Sequence, residues 1–296
     1  MKNDILWIIV DSARTYRTGI DDRDRLDIMD DFAKESVEFT NAYTSAPSSI
    51  LSASSMFTGL NSCFISRHFN DWDFDEKLVD SVYKTMKDLN YEIYSIFNSR
   101  EERRMIRKLI YPISSKFYTK GVSHRNWWTN KECTDIFINA LSKHDKKKSA
   151  FYTIWYDCRQ DKNTSFEVER ALEAFKQSGR YDNSIVIMCS DHGYPDPSSG
   201  LTEETMKKYT HDMIITEDNI KVPLLIKYPD CPEGKKVEKE FFGMFARIFQ
   251  HEFDHTLGIT FVEKVSKLKF DMAKKKAEKM YKRDLQRAEI AKSRQT

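Results

Sequence analysis

The stretch YDNSIVIMCSDHG, residues 181–193, decides how the rest of the chain is read. Asp182-Asn183 supplies turn chemistry. Ile185 to Cys189 then form an unbroken apolar, mostly β-branched run, and Ser190-Asp191-His192-Gly193 turns polar at once. A strand with one wet face would alternate, so this run predicts a strand buried on both faces, as in a parallel sheet. Such sheets gather their working residues at the carboxyl ends of the strands. Asp191 and His192 stand at such an end.

Outward from there, ILWIIV (5–10) repeats the pattern and stops at Asp11, while AFYTIWYD (150–157) stops at Asp157. VEFTNAYT (37–44), YEIYSIF (91–97) and VPLLIKYP (222–229) read as further strands. Helical spacing covers 25–36, 77–90, 130–144 and 165–179, and a shorter helix over 53–60 is ended by Gly59. Strands alternating with helices predict an α/β chain whose mostly parallel sheet is covered on both faces. Asp11, Asp157 and Asp191 would then share one crevice.

At 296 residues, 40% hydrophobic and 13% aromatic, the chain is long and apolar enough for a substantial core. A net charge of +2 gives no global case for nucleic acid or a membrane surface. Five scattered cysteines (Cys63, Cys133, Cys158, Cys189, Cys231) without a CxxC pair argue against a disulfide framework and for reduced thiols. The apolar run at 5–10 is too short for a signal peptide, and no run approaches the length of a membrane span. The expectation is a cytoplasmic protein with no transmembrane segment and no nucleic-acid partner. From 264 onward the composition shifts: twelve Lys/Arg against four Asp/Glu, with no Gly or Pro. The predicted organisation is a catalytic domain over 1–263 and a basic helical tail over 264–296.

A hard divalent cation takes carboxylate, hydroxyl and imidazole donors held on rigid elements. Asp11, Asp191 and His192 supply three. A serine from the serine-rich APSSILSASSMFTG (46–59) would supply a fourth, and coordination would turn its hydroxyl into a nucleophile.

Assembled, the chain resembles the alkaline phosphatase superfamily, in its sulfatase-like hydrolase/transferase branch. Four segments carry the likeness: ILWIIVDSAR (5–14), FTNAYTSAPSSILSASSMFTGL (39–60), YDNSIVIMCSDHG (181–193) and HDMIITEDNIKVPLLI (211–226). The resemblance implies an alkaline-phosphatase-like three-layer αβα sandwich, here followed by the C-terminal basic helix. It places the nucleophile ten residues before the Gly of the closing Thr-Gly, which is Ser49. It implies one divalent metal (Ca, Mg, Mn or Zn) on Asp11, Ser49, Asp191 and His192. It also implies that His211 touches substrate or metal; Arg14 and Arg159 are lesser candidates for holding an anionic oxygen, with a structural salt bridge as their alternative role. The implied substrate is a phosphate, phosphodiester or sulfate ester, with a saccharide or lipid head group as acceptor.

The chain departs from the branch in three places. Ser49-Ile50-Leu51-Ser52-Ala53 lacks the Pro and Arg of the C/S-x-P-x-R motif that matures to formylglycine, which favours an unmodified serine and phosphoryl chemistry. Asp11-Ser12 stands where sulfatases have two Asp. Ile154-Trp155-Tyr156-Asp157-Cys158-Arg159 keeps only the Asp of H-x-x-D-x-H. The last two motivate an alternative: a degenerate member that serves as a binding or scaffold protein. HEFDH (251–255) spells H-E-x-x-H, the zinc protease signature, and raises a remote second alternative. Asp254 and the absence of a clear third ligand favour a solvated helix face there. The basic tail likewise reads as a solvated helix, its apolar positions Val265, Leu268, Met272 and Met280 being too patchy for a membrane surface.

Overall fold

The computed structural model describes residues 3–19, 23–60, 81–97, 116–118, 129–158, 163–196, 199, 201, 202, 204, 205 and 211–229. Arg159, HEFDH at 251–255 and the basic segment 264–296 lie outside the described residues, and His211 is described in its backbone alone. The chain divides into two compact units, Met1–Val237 and Glu238–Thr296. The described residues all belong to the first.

The first strand, β1 (Asp4–Asp11), pairs in parallel with β5 (Ala150–Asp157) on one side and β6 (Ser184–Ser190) on the other. β3 (Glu92–Phe97) and β4 (Lys116–Tyr118) extend the sheet in parallel beyond β5. β7 (Leu224–Lys227) runs antiparallel to β6, and β2 (Val37–Glu38) runs antiparallel to β7. The resulting seven-stranded sheet has the order β2-β7-β6-β1-β5-β3-β4. β1 is central, with every residue from Ile8 to Asp11 fully buried.

Alternation along β1 divides the core into two layers. Leu6, Ile8 and Val10 face the layer holding α1 (Asp27–Ala33), α4 (Asn130–Lys143) and α5 (Thr164–Gln177), through Met29, Phe32, Phe137, Val168 and Phe175. Ile5, Trp7 and Ile9 face α2 (Ser49–Thr58) and α3 (Val82–Asp88), through Ala53, Phe57 and Tyr83. Helices on both faces of the sheet make the expected three-layer αβα sandwich.

Two differences from the sequence reading have local causes. The strand expected over 37–44 shrinks to Val37–Glu38, because after the Phe39 N–H reaches Leu224 O the chain turns away and touches the sheet again only as a Tyr43–Lys221 bridge. The helix expected from 53 begins at Ser49 instead. Ser48 takes the extended N-cap conformation (φ −126°, ψ 142°), and Gly59 closes the helix in the left-handed region (φ 69°) that favours glycine. That earlier start puts Ser49, not a loop, at the helix N-terminus.

Phe57 seats this helix. Its ring meets Trp7, Tyr83 and Trp155 edge-on, at centroid separations of 5.7, 5.2 and 6.4 Å. Truncating so buried an aromatic costs about 3–5 kcal/mol, so the position of Ser49 over the sheet is fixed by core packing.

Candidate active site

The carboxyl ends of β1 and β6 lie side by side, and each delivers a buried acid: Asp11 as the last residue of β1 and Asp191 just after β6. His192 follows Asp191, and all three side chains are fully buried. One oxygen of each carboxylate and one imidazole nitrogen lie within 4.8 Å of one another. Ser49, first residue of α2, closes the group. Its Oγ is 3.3 Å from Asp11 Oδ2 and 3.0 Å from His192 Nε2.

The histidine tautomer follows from its other nitrogen. His192 Nδ1 lies 2.6 Å from Gly193 O, and a carbonyl only accepts, so Nδ1 carries a proton; in the neutral ring Nε2 then presents a lone pair to Ser49. Asp191 Oδ2 is 3.5 Å from that Nε2 and has no hydrogen-bond partner. The Ser49 hydroxyl thus meets one carboxylate and the imidazole, with the second carboxylate against that imidazole. Burial, and next the Asp11 carboxylate, push the Asp191 carboxyl well above the usual range, partly offset by the Ser12 and His192 backbone N–H groups and by the nearby Ser49 hydroxyl, which lies outside hydrogen-bond geometry to Oδ2. A surplus of hard acceptors with too few protons suits a divalent cation, and an orphaned carboxylate oxygen inside it is the particular mark.

Around this group the backbone is pinned. Ser52 Oγ, one turn into α2, donates to Asp191 O (2.5 Å) and receives a bond from Thr44 Oγ1 (2.6 Å). The Ser190 hydroxyl lies 2.6 Å from both Val10 O and His192 O and accepts from the Ala13 N–H at 3.0 Å. Gly193 has a steric cause: a Cβ there would sit 2.0 Å from the backbone oxygen of Asp218. Its N–H reaches Asn219 O, so the short helix α6 (Glu217–Ile220) lies against the turn that carries His192. The unbonded N–H groups of the first turn of α2 make its N-terminus electropositive, suited to an anionic ester.

The sequence candidates fall into three groups. Asp11, Ser49, Asp191 and His192 come together. Arg14 is buried and engaged elsewhere: it pairs with Asp24 (3.1 Å) and donates to the backbone oxygens of Tyr194 (2.9 Å) and Pro195 (3.3 Å). Its role is to fasten the loop after β1 to the chain after Gly193. Asp157 ends β5 at the same edge of the sheet but is not one of the close ligand group. It stands in register with Asp11, and its backbone is bonded to the Asn130 side chain from both its N–H and its carbonyl. His211 opens a short 3₁₀ turn, His211–Met213, and Arg159 lies outside the described residues. Sequence reasoning missed Ser12, Ser52 and Ser190, whose contacts come from distant parts of the chain and leave no periodic trace.

Comparison with solved structures gives the fold its place. The chain is similar to the lipoteichoic acid synthase LtaP of Listeria monocytogenes (TM-score 0.58, 13% identity, 77% of this chain and 66% of that one). It is also similar to an alkaline phosphatase superfamily protein of Vibrio parahaemolyticus (TM-score 0.58, 13% identity, 80% and 62%). A third neighbour is the C-terminal periplasmic domain of EcEptC from Escherichia coli in complex with Zn (TM-score 0.53, 14% identity, 77% and 73%). The fold is that of the sulfatase-like alkaline phosphatase superfamily.

Sequence relatives divide the chain differently. An uncharacterised protein of Haemophilus influenzae is 23% identical over 211 residues, 69% of this chain and 33% of its own length. Residues 221–271, in contrast, match the polypeptide deformylase family model. A peptide deformylase of the Brugia malayi Wolbachia is 47% identical over 64 residues (22% of this chain, 35% of that protein). One from Mesorhizobium japonicum is 46% identical over 109 residues (33% and 61%). The chain thus covers about a third of the first relatives it matches. The deformylase likeness, which the sequence reading did not find, takes in HEFDH and continues past the compositional break at 264.

Proposed function

We propose that the chain is a metal-dependent ester hydrolase or transferase that works through an unmodified Ser49, on a phosphate or phosphodiester in preference to a sulfate. One observation carries the reading: the Ser49 hydroxyl sits at a helix N-terminus within reach of both Asp11 Oδ2 and His192 Nε2, beside the unpartnered Oδ2 of Asp191. The superfamily fold supports it. The names of two neighbours, a lipoteichoic acid synthase and a 2-O GAG sulfatase, support an anionic ester carried on a saccharide or lipid head group.

Asp11, Asp191, His192 and Ser49 would hold the cation. When bound, a divalent metal lowers the pKa of a coordinated hydroxyl and neutralises charge on the group being transferred. With the cation held there, the Ser49 hydroxyl would give its proton to solvent and act as the nucleophile. Its Oγ would bond to phosphorus as the bond from phosphorus to the leaving oxygen breaks, that oxygen taking a proton from solvent, while the N-terminal amides of α2 face the anionic oxygens. Water or an acceptor hydroxyl next attacks the same phosphorus, loses its proton, and displaces Ser49 Oγ. Gly193 O holds the proton of His192 on Nδ1, which leaves Nε2 of the neutral ring as the nitrogen that would hold the cation.

The test is bound metal together with turnover of aryl phosphate, aryl phosphodiester and aryl sulfate. Ser49→Ala is expected to lower kcat on the phosphorus esters by at least about 10³-fold, whereas Ser45→Ala and Ser48→Ala retain it. Bound metal without turnover of any of the three favours the scaffold alternative.

The deformylase likeness favours a second, separate reading for residues 221–271. Two His four apart with an intervening Glu are the zinc-binding and general-base pattern of H-E-x-x-H, and HEFDH lies inside the matched segment. We propose metal binding by His251 and His255, and stop short of deformylation because so little of the relatives is covered. Metal analysis separates the two sites: His255→Ala is expected to remove one equivalent and Asp191→Ala a different one.

A further inference from the structure

We infer that Ser12 is a positioning residue that aims both acids of the metal site, an inference that rests on the reading of Asp11, Asp191 and His192 as ligands. Ser12 follows the last residue of β1 and is fully buried. Its φ is +65°, in the left-handed region, where a side chain of L configuration costs about 1–2 kcal/mol. Asn90 is the other non-glycine residue in that region among the described residues, and it lies in an exposed turn after α3. Glycine would occupy position 12 without strain. A serine there is explained by what its two polar groups do.

The left-handed turn directs the Ser12 N–H at Asp191 Oδ1 (3.1 Å), while its Oγ donates to Asp11 Oδ1 (2.6 Å). One residue therefore holds one oxygen of each acid, although Asp191 lies 179 positions further along the chain. What remains is the Oδ2 of each: that of Asp11 toward Ser49 Oγ, and that of Asp191 toward His192 Nε2. Without the two bonds each carboxylate loses one of the contacts that set its χ2, and the aim of its other oxygen is less well fixed. Outer partners that orient metal ligands typically change affinity 10–100-fold when removed. Ser12 is also uncharged. The two acids then match one divalent cation, where a third carboxylate at this position would leave an excess negative charge.

The full chain is titrated calorimetrically with Mn²⁺ as wild type, Ser12→Ala and Ser12→Gly, and binding elsewhere in the chain is read from Asp191→Ala. Thermal melts in EDTA accompany each titration. Ser12→Ala and Ser12→Gly are both expected to weaken Mn²⁺ binding at this site about 10–100-fold. Ser12→Gly accepts the left-handed backbone, so its melting temperature in EDTA is expected to equal or exceed that of Ser12→Ala. That pair of results separates positioning from folding, since a structural role would make affinity follow stability. Wild-type affinity retained within twofold in Ser12→Gly overturns the inference and leaves the metal site standing. No Mn²⁺ bound by wild type beyond that of Asp191→Ala overturns the metal reading, and the inference with it.

Discussion

Replacing Asp191 with Asn is expected to stabilise the metal-free protein while abolishing the metal site. The side chain is fully buried and its Oδ2 has no hydrogen-bond partner, while its Oδ1 accepts the Ser12 N–H, a bond that an amide oxygen keeps. The ligand oxygens of Asp11 and Asp191 are no more than 4.8 Å apart. Two unit charges at that separation repel by about 3.5 kcal/mol at an effective dielectric of about 20. Nearby donors already offset part of this, so the expected gain is about 1–3 kcal/mol, or roughly 3–9 °C in Tm. The sign depends on pH. A carboxyl raised in the folded state binds more protons there than in the unfolded chain, so wild-type stability without metal falls as pH rises from the ordinary carboxylate range through the raised value. The gain from Asn is therefore present above that raised value and disappears below the ordinary range. Melts in EDTA across that span, repeated with Mn²⁺, provide the assay: metal should stabilise wild type and leave Asp191→Asn unmoved. An Asn variant that melts below wild type in EDTA at alkaline pH would refute the reasoning, since Asp191 would then be a satisfied structural acceptor.

Gly193→Ala is expected to destabilise by about 3 kcal/mol or to displace α6, because its Cβ would meet the Asp218 backbone at 2.0 Å; a denaturant midpoint equal to wild type would contradict this. Peptide mass spectrometry over 46–59 is expected to show Ser49 at the mass of serine, not lighter by about two hydrogens as formylglycine would be. A chain ending at Val237, the limit of the first compact unit, is expected to remain soluble and keep the metal held through Asp191; metal-free or insoluble protein would show that the later residues complete that unit.

The sequence by itself determined the layered fold and which residues gather at the candidate site, because both are written in local signals. Continuous apolar runs such as Ile185–Cys189 can only be buried on both faces, and a polar residue that ends such a run must emerge at the sheet's carboxyl edge. That logic yields Asp11, Asp191 and His192 without coordinates, and the spacing back from Gly59 yields Ser49 from the family likeness. The tertiary structure decided what depends on contacts between distant segments. Asp157 ends its strand just as Asp11 does, yet the sequence could not show that its carboxylate stays outside the group. Arg14 has the charge to hold an anion, but Asp24 and two carbonyls beyond Gly193 take its guanidinium. Ser12 gave no sign, since a left-handed φ arises from the sum of tertiary constraints and not from residue type. HEFDH marks the opposite limit: the likeness of 221–271 to deformylases is what sets it apart, because a five-residue motif gives a spacing but not the surroundings that make a site.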